Sequence, residues 1–172
     1  MERIKLLGIF CIVVGIFLGQ AAAVQAGRSY GDLSFPQAGS PEDQKYLGVG
    51  SGAFRLSQID APYLVLEIMR VSCPHCQKEV GAMNKFYSLV QGSDIKDKIR
   101  FLAAAQGCSA GEAAKFRKAY GVTFPVLADP QGTLEKALHI NGVPTVVVLK
   151  RDGQVLRVDK GEIGRASCRE RV

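Results

Sequence analysis

The sequence predicts an α/β fold built on a central mixed β-sheet flanked by helices. Two observations carry that expectation. The continuous apolar runs "YLVLEIM" (63–69) and "IRFLAAA" (99–105) are each followed by a segment of helical period, and strands that alternate with helices form parallel pairs. Later, "TVVVLK" and "QVLRVDK" flank Arg151-Asp152-Gly153, which is the signature of an antiparallel hairpin.

The 172 residues suit one domain once both ends are set aside. Residues 1–26 read as a signal peptide: Arg3 and Lys5 form a basic start, Leu6 to Leu18 an apolar run, and Val24-Gln25-Ala26 a small-residue cleavage site. An uncleaved anchor is the alternative, although the run is short against the ~20 residues that a span needs. Cys11 lies in that run behind the bulky Phe10, which argues against a lipid-modified cysteine. At the other end, "IGRASCRERV" (163–172) has no apolar period and back-translates in frame to a common sequencing adapter. It reads as an adapter scar, and Cys168 is set aside with it.

Charge narrows the partner classes. The whole chain carries 22 basic and 16 acidic side chains, a net +6. Without Arg3, Lys5, Arg165, Arg169, Arg171, Glu2 and Glu170 the balance is 17 against 14, a net +3. The remaining lysines and arginines are scattered, without the run or stripe that a nucleic-acid interface needs. No nucleic-acid partner is expected.

Between the trimmed ends the elements follow in order. Residues 27–50, rich in Gly, Ser, Pro, Gln and charge, read as a linker or loosely attached N-terminal arm, with the domain proper expected over 51–162. "AFRLSQID" (53–60) fits a short strand and turn. "PYLVLEIM" (62–69) is apolar except for Glu67, the pattern of a strand buried on both faces. From Pro74 onward, Val80, Met83, Phe86, Tyr87 and Val90 recur at helical spacing, and Gly92 stops the helix. A second helix is expected over 109–121, with Ser109 and Glu112 as a capping box and Gly121 as its stop. "TLEKALHI" (133–140) reads as a short helix ended by Asn141-Gly142.

Three cysteines remain for chemistry: Cys73, Cys76 and Cys108. The first two form "CPHC" where a strand gives way to a helix. A redox pair there has a physical rationale. The helix N-terminus carries about half a positive charge and unpaired N–H groups, which favour a thiolate at Cys73, the attacking form of sulfur. Pro74 suits the first helical position. Cys76, a turn further in, resolves the mixed disulfide. His75 is a tuning residue: its imidazole and the neighbouring N–H groups stabilise the Cys73 thiolate. That makes the oxidised pair a stronger oxidant, toward the upper half of the span from about −270 to about −120 mV known for such pairs.

Two other chemistries compete. A zinc site needs four ligands, and beyond the pair only Cys108, His75 and His139 are on offer, none in a second ligand pair. No metal is expected. A permanent staple closing so short a loop would constrain little. Cys108 follows the second buried strand, and loops at the carboxyl ends of parallel strands gather at one face. It is either a third redox thiol or an unpaired loop cysteine. His139 is assigned no role.

Taken together, "YLVLEIM", "CPHC", "FPVLADPQG", "GVPT" and "VVVLKRDGQVL", from about Gly52 to Gly161, resemble the thioredoxin-fold superfamily. The nearest branch is the exported TlpA/ResA-like thiol–disulfide oxidoreductases, here with a DsbA-type CPHC pair. The resemblance implies a cis-proline at Pro144 facing the dithiol, with the Val143 backbone before it pairing with an extended peptide. It also implies that Glu67, six residues before Cys73, is a buried acid that moves the Cys76 proton. The alternative for Glu67 is a strand-edge carboxylate paired with Arg70 or Lys150. The implied partners are protein or peptide dithiols and disulfides, plus a redox partner protein in the membrane or soluble. No organic or metal cofactor is implied. The implied location is the periplasm or another exported setting, membrane-anchored if the leader stays uncut.

The chain departs from that pattern in three places. It has no tryptophan, and Arg70-Val71-Ser72 stands where one usually precedes the first cysteine. An oxidising dipeptide on an otherwise reductive framework leaves the direction of electron flow open. The final helix of the fold is expected to be missing. Two further functions stay open. A peroxiredoxin-like peroxidase would want Thr or Ser three residues before the attacking cysteine, where Arg70 stands. A non-catalytic binding module with a static disulfide would show a potential below about −300 mV.

Overall fold

The computed structural model describes residues 28–161. The leader expected over 1–26, the scar over 163–172, Cys11 and Cys168 lie outside the described residues, and the expected loss of the final helix concerns that region too. In chain order the elements are β1 (Ser34–Phe35), α1 (Pro41–Leu47), β2 (Phe54–Arg55), β3 (Tyr63–Met69), α2 (Pro74–Gln91), β4 (Ile99–Gln106), α3 (Ala110–Tyr120), β5 (Val126–Asp129), α4 (Thr133–Ala137), β6 (Thr145–Lys150) and β7 (Val155–Lys160).

The central sheet has the order β5-β4-β3-β6-β7, and β1 and β2 form a separate antiparallel ribbon. β3 is the middle strand. It runs parallel to β4, with Met69 opposite Ala105, and antiparallel to β6, with Ile68 opposite Thr145. β5 continues the parallel half and β7 the antiparallel half. The sheet is therefore mixed, with its parallel and antiparallel parts divided at β3. β5 was not expected from the sequence. Its four residues lie between Pro125 and Pro130, too few to display a period.

Alternation of side chains along each strand divides the core into two layers. Leu64, Leu66 and Ile68 of β3, Leu102 of β4, Leu127 of β5 and Val147 and Leu149 of β6 point to one side. Val65 and Met69 of β3, Phe101, Ala103 and Ala105 of β4, Val126 of β5 and Val146 of β6 point to the other. There α2 and α3 lay down Cys76, Val80, Met83, Val90, Ala113 and Phe116.

The first layer is covered by α4 and by the N-terminal segment, which corrects the expectation of a loose arm. Leu33, Phe35, Ala38 and Leu47 are buried. Ser40 and Asp43 form a capping box for α1, and Pro41 opens it. Asp43 then pairs with Arg117 of α3 at 2.7 Å, while the Phe101 N–H donates to the Tyr46 hydroxyl at 3.0 Å. The polar composition that suggested a linker belongs to the exposed positions; a few spaced apolar residues do the packing.

The segment also stitches into the hairpin: Tyr30 N–H donates to Gly153 O at 3.0 Å and Val155 N–H to Arg28 O at 2.8 Å. Gly153 sits at φ 84°, and a β-carbon there would collide with the Gly31 main chain. Among the described residues no helix is long and apolar enough to cross a membrane.

Candidate active site

β3 ends at Met69, and a tight turn brings Cys73 N–H onto Arg70 O at 3.1 Å. Cys73 is the N-cap of α2, with extended backbone (φ −81°, ψ 117°) and Pro74 at the first helical position. Its sulfur takes the place that a serine or aspartate oxygen holds in an ordinary cap: the Cys76 N–H donates to Cys73 Sγ at 3.3 Å. One of the N–H groups at the helix start is thereby satisfied by the Cys73 sulfur.

Environment drives the two thiols apart. Burial alone would raise the Cys73 pKa. Hydrogen bonds from the Cys76 side chain and main chain and from the His75 main chain, with the charge of Arg70, outweigh it, and the thiol lies below its ordinary range. Cys76 is 0 % exposed. Burial first, then its hydrogen bond to Cys73, pushes its pKa up to about 12. The sequence points to both the His75 imidazole and the neighbouring N–H groups as tuning Cys73. In the structure that side chain is exposed and the contact comes from the main-chain N–H.

The loop before β6 closes over the pair. The Val143–Pro144 peptide bond is cis, and the Cys73 thiol lies 3.8 Å from Val143 O as a donor. Thr145 Oγ1 donates to Gly142 O at 2.7 Å, and Gly161 N–H to Pro144 O at 3.0 Å, so the loop is held from both ends.

Glu67 lies in mid-strand between Ala103 and Val146, 5 % exposed. Burial first, and then the charge of Glu79, raises its pKa to about 8. It adds to the electrostatic load on Cys76. The alternative pairing with Arg70 or Lys150 is not formed: Arg70 reaches Gln106 and Glu135, and Lys150 reaches Gln154. Glu79 itself, 2 % exposed on α2, was missed in the sequence. Its signal was there: Cys76, Glu79, Val80 and Met83 share the buried face of one helix, and an acid on such a stripe is out of place.

The rim of the site has its own fixed side chain. Arg70 donates from Nε to Gln106 Oε1 at 3.2 Å and from Nη2 to Glu135 Oε1 at 3.4 Å. Gln106 is buried, and its Nε2 has no partner among the described residues. Cys108 is buried in the same apolar layer as Cys76. Its thiol donates to Ala105 O at 3.2 Å, and burial raises its pKa. His139 is exposed beside Tyr30, ring centroids 6.5 Å apart. Among the described residues no three His, Cys, Asp or Glu side chains gather as a metal site.

Comparison with known proteins agrees with this geometry. Residues 35–158 match the AhpC/TSA family. Thiol-disulfide oxidoreductase ResA of Geobacillus thermodenitrificans is 24% identical over 118 residues, 69% of this chain and 66% of that protein. Sporulation thiol-disulfide oxidoreductase A of Bacillus subtilis is 28% identical over 99 residues, 57% of this chain and 59% of that one. The chain thus spans somewhat less than two thirds of these relatives. Among solved structures, a thiol:disulfide interchange protein of the thioredoxin family from Chlorobium tepidum superposes with a TM-score of 0.56 at 18% identity, covering 85% of this chain and 92% of that one. The fold is thioredoxin-like.

Proposed function

We propose that this chain, which belongs to the AhpC/TSA family, is an exported thiol–disulfide oxidoreductase working through Cys73 and Cys76. The observation that carries the reading is the pair's asymmetry: one half-exposed sulfur capping a helix, one sulfur buried behind it. The Cys73 thiolate attacks one sulfur of a substrate disulfide. A Cys73–substrate bond forms, the substrate S–S bond breaks, and the released sulfur takes up a proton. Cys76 then loses its proton to Glu67 and attacks Cys73 Sγ. The Cys73–Cys76 disulfide forms and the second substrate sulfur leaves reduced. Two electrons pass to the substrate, and the reverse sequence oxidises a dithiol.

Neighbouring groups serve those steps. Burial and then the charge of Glu79 raise the Glu67 pKa to about 8, so its ionised fraction at neutral pH takes the Cys76 proton and the carboxyl can hand it to the departing sulfur. Val143, whose carbonyl already touches Cys73, offers main-chain groups to an extended peptide, with Pro144 fixing the loop. Partners are protein or peptide thiols and disulfides, with a second redox protein to reset the pair. The leader pattern in residues 1–26 supports export to the periplasm or an equivalent compartment. N-terminal sequencing of the exported protein tests it: a mature start near Gly27 is expected, and an intact Met1 would oppose it.

Exchange with a disulfide peptide tests the chemistry. Cys73→Ser abolishes turnover, and Cys76→Ser accumulates a mixed disulfide on Cys73 visible by mass spectrometry. Turnover surviving in Cys73→Ser would sink the assignment. Rapid peroxide consumption by the reduced wild type would move it to the peroxidase reading.

A further inference from the structure

We infer that Arg70 is a specificity-determining residue that selects substrates carrying a carboxylate beside the reacting disulfide. The inference rests on the oxidoreductase reading above and names its substrate class.

Arg70 is the first residue after β3, three positions before Cys73, and its side chain remains 53% exposed. Two contacts nevertheless fix it: Nε on Gln106 Oε1 and Nη2 on Glu135 Oε1. An arginine has five N–H donors in a planar fork. These contacts take one each from Nε and Nη2, leaving Nη1 and the second Nη2 hydrogen for a ligand. The Cys73 N–H donates to Arg70 O at 3.1 Å, so Arg70 stands one tight turn from the dithiol, at its mouth.

Gln106 shows how this position is maintained. An arginine can only donate, so the Gln106 oxygen must face it, and the Nε2 is left buried without an acceptor. An unsatisfied buried donor is costly. That cost is accepted in a wall that holds one exposed guanidinium in place. The first turn of α2 contributes no acid, so the mouth presents a fixed positive group, the positive end of a helix and no competing carboxylate from that turn. Glu135, across the rim, partly neutralises Arg70. A substrate carboxylate would share the guanidinium with it, and a planar fork suits a carboxylate geometrically.

The experiment uses two disulfide-linked peptides differing only in Asp-Glu or Asn-Gln beside the cysteine. The readout is the ratio of their kcat/KM values, in which any general effect on Cys73 cancels. Wild type should favour the acidic peptide by about threefold to tenfold at low salt, with the preference shrinking at about 0.5 M KCl as the charges are screened. Arg70→Met should bring the ratio to about one, and Arg70→Lys should restore part of it. Glu135→Gln, which removes the competing carboxylate, should raise the ratio above wild type. This arm holds even if Arg70→Met folds poorly. A wild-type ratio of about one, or a ratio unchanged in Arg70→Met, overturns the inference. Failure of wild type on both peptides overturns the oxidoreductase reading, and the Arg70 assignment falls with it.

Discussion

A carboxyl group in the middle of the central strand makes Glu67 the residue whose behaviour most exposes the site's physics. Its pKa rises from 4.5 in the open chain to about 8 in the fold. Between those values the unfolded chain gives up the proton and the folded one keeps it. Folding stability therefore falls as pH rises through that window and levels off above about 8. At about 1.4 kcal/mol per tenfold change in proton affinity the full effect is on the order of 5 kcal/mol. Urea unfolding of Glu67→Gln against wild type should show little dependence near pH 4 and a growing relative stabilisation of the variant toward pH 9. On the proposed mechanism, in which Glu67 takes the Cys76 proton, the same variant should lengthen the life of the mixed disulfide. At Cys73, alkylation by iodoacetamide should reach half its maximal rate below the ordinary thiol range, because the helix-start donors hold the thiolate. A midpoint at or above that range would contradict the site as described. Cys73, Cys76 and Glu67 were legible in sequence because a C-x-x-C pair and an acid in an apolar run are local patterns. Glu79 carried a fainter local signal. The anchoring of Arg70 was illegible: Gln106 and Glu135 are 36 and 65 residues away, and only the fold brings them together.

At the scale of elements, the strands and helices with long periods were readable. β3, β4, α2, α3 and the β6–β7 hairpin fall where the apolar spacing and caps put them. Of the short elements, β2 and α4 were also read from the sequence, α4 ending at Ala137 rather than at Ile140, whereas β1, β5 and α1 were not. β5 and α1, of four and seven residues, owe their form to neighbours rather than to propensity, since short segments are marginal alone. The hairpin turn shows how such neighbours impose sequence. Gly153 needs both a left-handed backbone and a bare α-carbon where Gly31 crosses it. Gly153→Ala should cost on the order of 2 kcal/mol or more, read as a lowered urea midpoint with the dithiol chemistry intact.

For the whole molecule, the sheet is a wall with two wet-facing sides that must both be covered. One side has two full helices. The other depends on the N-terminal segment, whose Leu33, Phe35 and Leu47 lie in the same layer as Leu64, Leu66 and Ile68. A chain starting at Gly50 should therefore lose cooperative unfolding and bind a hydrophobic dye. A cooperative transition like that of the full chain would show the segment to be dispensable.

That stitching also orients the molecule. Arg28 is bound to Val155 near the hairpin turn, and Arg151 of that turn donates to Pro62 at the head of β3. The cysteines lie past the tail of β3, about 20 Å away along its seven residues. A bead, tag or surface coupled ahead of Arg28 would grip the back of the protein and leave the end that carries the cysteines facing outward.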